Sequence, residues 1–206
     1  MKHWVKKYQR APDFIVIEGA LAGGHLGFKK EDLENQTYQS LEEIFQEVEQ
    51  VVESFQLNIP IFVAGGIHQR SDVKHFFELG VDGVQVASRF IPTYECDASM
   101  KYKEAFLKAK KEEVGLVSSP VGMPGRAFQN AFVQKTKQEK VPIKKCYQCL
   151  TPCNLKTTPY CISRALIEAV KGNLDEGLIF TGAYGYMQDH LMHVEEVIHE
   201  LMEDEK

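Results

Sequence analysis

Residues 14–27 read Phe14-Ile15-Val16-Ile17-Glu18-Gly19-Ala20-Leu21-Ala22-Gly23-Gly24-His25-Leu26-Gly27. The first four are continuously apolar and stop at Glu18-Gly19, which is how a strand buried on both faces of a parallel sheet reads. The pattern returns downstream. Pro60 leads into Ile61-Phe62-Val63-Ala64 and then Gly65-Gly66, followed by a short helix with Ser71 as its N-cap and Gly80 as its stop. Gly83-Val84-Gln85-Val86 leads into Ala87-Ser88-Arg89-Phe90, and a helix from about Ser99 places Tyr102, Phe106 and Ala109 on one face. Between the first two strands, Ser40 and Glu43 have capping-box spacing, and Leu41, Ile44, Phe45, Val48, Val51, Val52 and Phe55 recur at helical intervals. A fourth strand fits Val114 to Val117, and Ser118 to Arg126 is too rich in Gly and Pro for regular structure, with a helix over Ala127 to Gln134. Strand, loop and helix alternate, which specifies a parallel α/β architecture with right-handed crossovers.

From about Lys144 the character changes to a cysteine-rich segment, a helix near Ile162 to Val170 ending at Gly172, and a last helix from about Asp189. In that last helix Leu191, Val194, Val197, Ile198 and Leu201 form the expected buried stripe. The reading is two units: residues 1–143 carry the strand-helix repeats, and 144–206 form a helical, cysteine-containing cap. The 206 residues, 44% of them hydrophobic, suffice for one sizeable core. A net charge of -5 argues against nucleic-acid and anionic-membrane partners, which need clustered cations. The basic stretch Lys101, Lys103, Lys108, Lys110 and Lys111 is interleaved with Glu104, Glu112 and Glu113, as on a solvated helix face. No apolar run of membrane-spanning length occurs, and the opening MKHWVKKYQRAPD lacks the apolar stretch of a secretory signal, so a cytoplasmic protein is expected. In that compartment its cysteines are reduced thiols or metal ligands.

Three glycine-bearing loops follow three successive strands: Ala22-Gly23-Gly24-His25-Leu26-Gly27, Ala64-Gly65-Gly66-Ile67 and Ala87-Ser88-Arg89. In a parallel barrel such loops emerge on the carboxyl-end face, where glycine lets backbone N–H groups approach a phosphate. One Gly-Gly pair alone is as readily a tight turn; three in register point to a ligand. His25, just beyond the end of its strand, is either a turn-closing residue or a group that exchanges a proton near neutral pH. Arg126 after Gly125 either meets an anionic ligand or pairs with a carboxylate. The cluster Cys146-x2-Cys149-x3-Cys153-x7-Cys161 suits Zn²⁺ or an iron–sulfur cluster, or else free thiols in a loop shaped by Pro152 and Pro159. Cys96 stands alone as an ordinary thiol.

Taken together, Glu18-Gly19, Ala22-Gly23-Gly24-His25, Ala64-Gly65-Gly66-Ile67, the run Gly83 to Phe90, and Gly125-Arg126 with Asn130 resemble the nitronate monooxygenase family, formerly 2-nitropropane dioxygenases. The resemblance covers roughly Asp13 to Gln134. It implies an FMN-dependent (β/α)8 barrel that oxidises alkyl nitronates with O₂, kin to the flavin-dependent enoyl-acyl-carrier-protein reductases that use NAD(P)H. It makes His25 the catalytic histidine beside the flavin ring. Gly65, Gly66 and the backbone at Ala87 and Ser88 would receive the FMN phosphate, and Gly23 and Gly24 would let the chain pass close to the cofactor. Ala87-Ser88 stands where many relatives have Gly-Thr, and Leu21 where many have an acidic or polar residue, which bears on substrate preference.

The matching strands correspond to the last four of the family's eight, and Lys2 to Arg10 looks like the tail of the preceding helix. A whole barrel needs about 250 residues. The expected fold is therefore half a TIM barrel, about four parallel strand-helix units, with the helical cap. Such a half leaves two unpaired sheet edges. Three functional readings stand: a nitronate-oxidising half that is either a truncated product or completed by a separate N-terminal half or another copy of itself; an enoyl-thioester reductase; and a non-catalytic half-barrel fragment or subunit. A flavin-free barrel binding a sugar phosphate is a further reading of the same loops.

Overall fold

Ser40 starts the longest helix as its spacing predicts: its hydroxyl accepts from the Glu43 amide at 3.1 Å, and the Glu43 carboxylate accepts from the Ser40 amide at 2.8 Å. Replacing Ser40 by alanine removes one arm of this box and is expected to lower stability by about 1 kcal/mol, read from the urea midpoint. The computed structural model describes residues 2–151 and 153–203. In chain order the elements are α1 (Lys2–Tyr8), β1 (Ile15–Glu18), β2 (Gly24–His25), α2 (Lys30–Asn35), α3 (Leu41–Ser54), β3 (Ile61–Ala64), α4 (Arg70–Glu78), β4 (Gly83–Gln85), α5 (Met100–Lys108), β5 (Val114–Ser118), β6 (Pro124–Phe128), α6 (Ala131–Gln138), α7 (Ile162–Val170) and α8 (Val194–Met202). Short 3-10 turns cover Ser88–Phe90 and Lys111–Glu113.

β1, β3 and β4 form a parallel sheet in that order, with Ile17 opposite Val63 and Val63 opposite Val84. One face is packed: Ile17, Ile61 and Val63 meet Leu41, Phe45 and Val52 of α3 and Val73 and Phe76 of α4. Met192, Val197 and Leu201 join the same cluster, so α8 lies against the sheet-helix core rather than forming a separate cap. The other face is open. Phe14 and Val16 are 58% and 41% exposed, so β1 is buried on one face rather than the two its apolar run suggests. Across that open face Phe14, Val16, Phe62, Val86 and Phe90 line a wide apolar hollow of about 620 Å³, with α8 on one side. Ile198 belongs to that hollow and is 49% exposed, so it departs from the buried stripe.

The expected fourth parallel strand is corrected. β5 covers Val114 to Val117, but it pairs antiparallel with β6, and β6 pairs antiparallel with β2, in a second sheet of order β2-β6-β5. Parallel strand-helix units thus number three, not four. The Gly-Pro stretch hid β6 for a physical reason. Pro124 is its first residue, where a missing N–H costs the ladder least, and Gly125 leaves room for the Phe180 ring and the Gly24 carbonyl, 3.0 and 3.1 Å from where a Cβ would stand. The following helix accordingly starts at Ala131, with Asn130 as its cap, rather than at Ala127. α4 likewise starts earlier than read: Gln69, not Ser71, is its N-cap.

Candidate functional site

Because β1, β3 and β4 run parallel, their carboxyl ends at Glu18, Ala64 and Gln85 open on one rim, and a cavity of about 310 Å³ sits there. Gly23, Gly24, Gly65, Gly66, Ala87 and Ser88 all line it. The volume lies at the lower end of the ~300–1,000 Å³ usual for small-molecule pockets. Apolar surface comes from Leu21, Ile67, Val86, Ile91 and Phe180, and hydroxyls from Ser88, Tyr102, Thr181 and Tyr184.

The glycines serve the backbone as much as any ligand. Gly65 and Gly66 adopt φ of 93° and 80°, a region L side chains avoid. A Cβ on Gly65 would stand 2.8 Å from the Ala22 amide, and one on Gly23 would stand 2.5 Å from the Thr181 carbonyl carbon. Gly23 therefore lets two loops close on each other. Ser88 fastens the same joint: its hydroxyl oxygen accepts from the Gly182 amide at 2.9 Å.

Arg126 is held by backbone carbonyls, and among the described residues no carboxylate pairs with it. From within β6 its Nη1 donates to the carbonyls of Ala20 and Ala22, both at 2.6 Å, and so fixes the loop after β1. Asn130 is equally structural, capping α6 through Val133 while donating to the carbonyls of Leu174 and Gly177. Arg89 is buried, and its guanidinium donates to Glu200 and to the Met192 sulfur, which ties α8 to the turn after β4.

His25 lies beside the cavity rather than in its lining. It stands on β2, its ring edge-on to Phe180 with centroids 5.0 Å apart, and Phe180 itself lines the cavity. Its Nε2 is 2.7 Å from the Ser119 hydroxyl in the β5–β6 turn. Burial pulls the imidazole below its ordinary value, so it is neutral at pH 7. Within the lining, His68 is pushed down to about 4, first by burial and then by the neighbouring Arg89, while partial burial raises the Glu18 carboxyl. Burial pushes Tyr102 up to about 12, so its phenol stays protonated. No Lys or Arg is among the lining residues.

The segment Thr181 to Gly185 supplies a further wall of the cavity, against the Gly23 and Ser88 corners, and the reading of the sequence missed it. Leu178-Ile179-Phe180 followed by Gly182 and Gly185 repeats the apolar-then-glycine signature of the earlier corners, which was the available signal. This segment adds to the second sheet: the Phe128 amide donates to Ile179, and the Thr181 amide to Arg126.

The cysteines are not brought together among the described residues. Cys146 and Cys149 are exposed, Cys153 and Cys161 partly buried, and among the described residues no three His, Cys, Asp or Glu groups are placed to hold an ion. Cys161 occupies the N-cap position of α7 without a side-chain cap bond, and Cys153 contacts the Thr158 hydroxyl at 3.8 Å. Pro152 lies outside the described residues.

A probable nitronate monooxygenase of Staphylococcus saprophyticus is 32% identical over 126 residues, which is 61% of this chain and 34% of that protein. One of Bacillus subtilis is 28% identical over 131 residues, 63% of this chain and 36% of its own length. Among solved structures, FabK of Thermotoga maritima superposes with a TM-score of 0.68 at 23% identity, over 95% of this chain and 55% of that one. Nitroalkane oxidase of Streptomyces ansochromogenes gives 0.66 at 20% identity, over 93% and 51%. The chain thus spans about a third of the curated relatives and about half of the solved structures. The nitronate monooxygenase family pattern matches residues 1–204, and with its strand ends, glycine corners and adjoining histidine in the order the resemblance implied, the chain belongs to the nitronate monooxygenase family.

Proposed function

We propose that this chain supplies the phosphate-binding rim and the proton-handling histidine of an FMN-dependent site that oxidises alkyl nitronates with O₂. The observation that carries the reading is the convergence of Gly23, Gly24, Gly65, Gly66, Ala87 and Ser88 on one cavity at the carboxyl rim of a parallel sheet.

The residues present fit a phosphorylated planar cofactor. Leu21, Ile67, Val86 and Phe180 offer apolar surface for a ring. Without a lysine or arginine in the lining, the phosphate would be met by amides at Gly65 and Gly66, by the backbone at Ala87, and by the Ser88 hydroxyl, whose oxygen accepts from Gly182 and whose hydrogen has no acceptor among the described residues. The start of α4 is already occupied, because the Asp72 carboxylate accepts from the amides of His68 and Gln69 at 2.9 Å each. That leaves the glycine corner, rather than the helix terminus, as the phosphate cradle. FMN, when bound, supplies the capacity to take electrons from the substrate and pass them to O₂. His25, neutral at pH 7 by its burial, would give or take the proton at the substrate carbon.

The other half of the pocket would come from a complementing N-terminal half-barrel or a second copy of the chain, seated against the open edges of β1 and β4. Among the described residues no helix is long and apolar enough to cross a membrane.

The test joins a binding and a turnover measurement. FMN at about a hundred times its dissociation constant is expected to raise stability by about 2.7 kcal/mol in a thermal melt. The loaded protein is expected to be yellow and to consume O₂ when given a nitronate. Turnover of NAD(P)H with a crotonyl-thioester instead would identify an enoyl-thioester reductase. No shift with FMN would leave a non-catalytic half-barrel.

A further inference from the structure

We infer that His68 is a phosphate-contacting residue of the cavity, its imidazole donating a hydrogen bond to the ligand's phosphate beside the Gly65-Gly66 corner. The inference rests on the reading of that corner as a phosphate cradle and adds a side chain to it.

Gly65, Gly66, Ile67 and His68 follow one another along the lining. The backbone at His68 is fixed: Ile67 is packed into the sheet-helix core, and the His68 amide donates to the Asp72 carboxylate at 2.9 Å as α4 begins. His68 is 6% exposed, yet its imidazole makes no hydrogen bond among the described residues. Among those residues, the side-chain polar atoms sealed off without a partner are Arg89 Nε and Gln188 Oε1. The His68 ring nitrogens are not of that kind, so they reach open space, and the space that His68 borders is the cavity. Burying an imidazole with no protein partner costs stability, which a ligand accepting its N–H would recover.

The rest of the lining points to what that ligand group is. Next to His68 stand backbone amides and the Ser88 hydroxyl, with no Lys or Arg to meet an anion. A neutral imidazole carries one N–H whichever nitrogen holds it, so it adds a donor where the corner already gathers donors. Burial and then Arg89, in the turn after β4, hold His68 at about 4 against the smaller opposing pull of Asp72 on α4 and Glu200 on α8. Glu18, at the end of β1, shares the lining. A phosphate against the ring would favour the imidazolium, so the occupied site gains its proton at a higher pH than the empty one.

The test uses the full chain with ¹⁵N-labelled histidines, His68 being assigned by its loss in His68→Gln. Its imidazole signals are followed while FMN, riboflavin or inorganic phosphate is added. FMN and inorganic phosphate are each expected to shift them and to move the His68 titration upward, toward the ordinary histidine value. Riboflavin, which lacks the phosphate, is expected to leave that titration in place. In His68→Leu the affinity for FMN is expected to fall about tenfold, the scale of one hydrogen bond to a charged group, with riboflavin affinity unchanged. His68→Gln, which keeps an N–H donor, should recover most of the loss; a purely structural role would weaken both flavins alike. Signals unmoved by FMN and by phosphate overturn the inference, and so does an equal response to FMN and riboflavin. Both are read on the native chain, whatever the stability of His68→Leu. A response to inorganic phosphate without one to FMN would sink the flavin reading and leave His68 as a phosphate contact.

Discussion

An Arg126→Met protein is expected to be about 3 kcal/mol less stable than the native chain, because a buried carbonyl stripped of its donor costs about 1–3 kcal/mol and this change strips two. Methionine fills most of the same space, so the loss isolates the hydrogen bonds from the packing. Arg126 is 9% exposed, and Ala20 and Ala22, whose carbonyls it holds, are 3% and 5% exposed, so water cannot easily replace the guanidinium. Burial lowers the arginine from its ordinary value without depriving it of its charge. The released loop carries Leu21 to Gly24 into the cavity, so FMN affinity is expected to fall by about tenfold or more, or ~1.4 kcal/mol. Urea midpoints at constant m-value and a fluorescence titration read the two effects. A midpoint within experimental error of the native chain would mean the loop holds itself.

Phe106→Ala is expected to cost more, about 3–5 kcal/mol, as for other buried aromatics cut back to alanine. Phe106 is 0% exposed and lies edge-on to Phe128, with centroids 4.9 Å apart at 72°. Ala169 of α7 and Ile179 complete its surroundings, so one ring joins α5, β6, α7 and the segment leading to Thr181. Those neighbours cannot collapse inward without dragging the cavity wall, which argues for the upper half of the range. Tyr102, tilted against Phe106 at 5.6 Å, also lines the cavity, so the truncation should weaken FMN binding as well. A loss below about 1 kcal/mol would show that this cluster repacks freely.

Local signals in the chain were readable wherever one residue type has one physical use. The capping box at Ser40 and Glu43 and the span Ile162 to Val170 stand where the sequence reading put them, and the corners at Gly23, Gly65 and Ser88 line one cavity. What escaped depends on pairing across long sequence distances. Val114 to Val117 looks the same whether its neighbour runs parallel or antiparallel, and only the partner β6 decides. Pro124 and Gly125 announce a loop, yet one opens a strand and the other admits Phe180. Arg126 carries no mark that its partners are two carbonyls rather than a phosphate. Cysteine spacing says how close four thiols come along the chain, but not whether the backbone turns them inward, and here two face solvent. Thr181 to Gly185 went unread because a single glycine-rich turn has many uses and its sheet partner lies far upstream.

The seam between the Gly23 loop and the Thr181–Gly182 turn also governs when the site comes into being. Ser88 and Gly182, the hydroxyl and amide that lock it, are 94 residues apart. At about 5–20 residues per second, a ribosome needs roughly 5–20 s to extend the nascent chain from one to the other. The parallel strands and their helices can collapse during that interval, yet the wall facing them has not left the exit tunnel. The cavity is therefore complete only after synthesis has passed Gly182, and a chain stalled earlier would lack one of its walls.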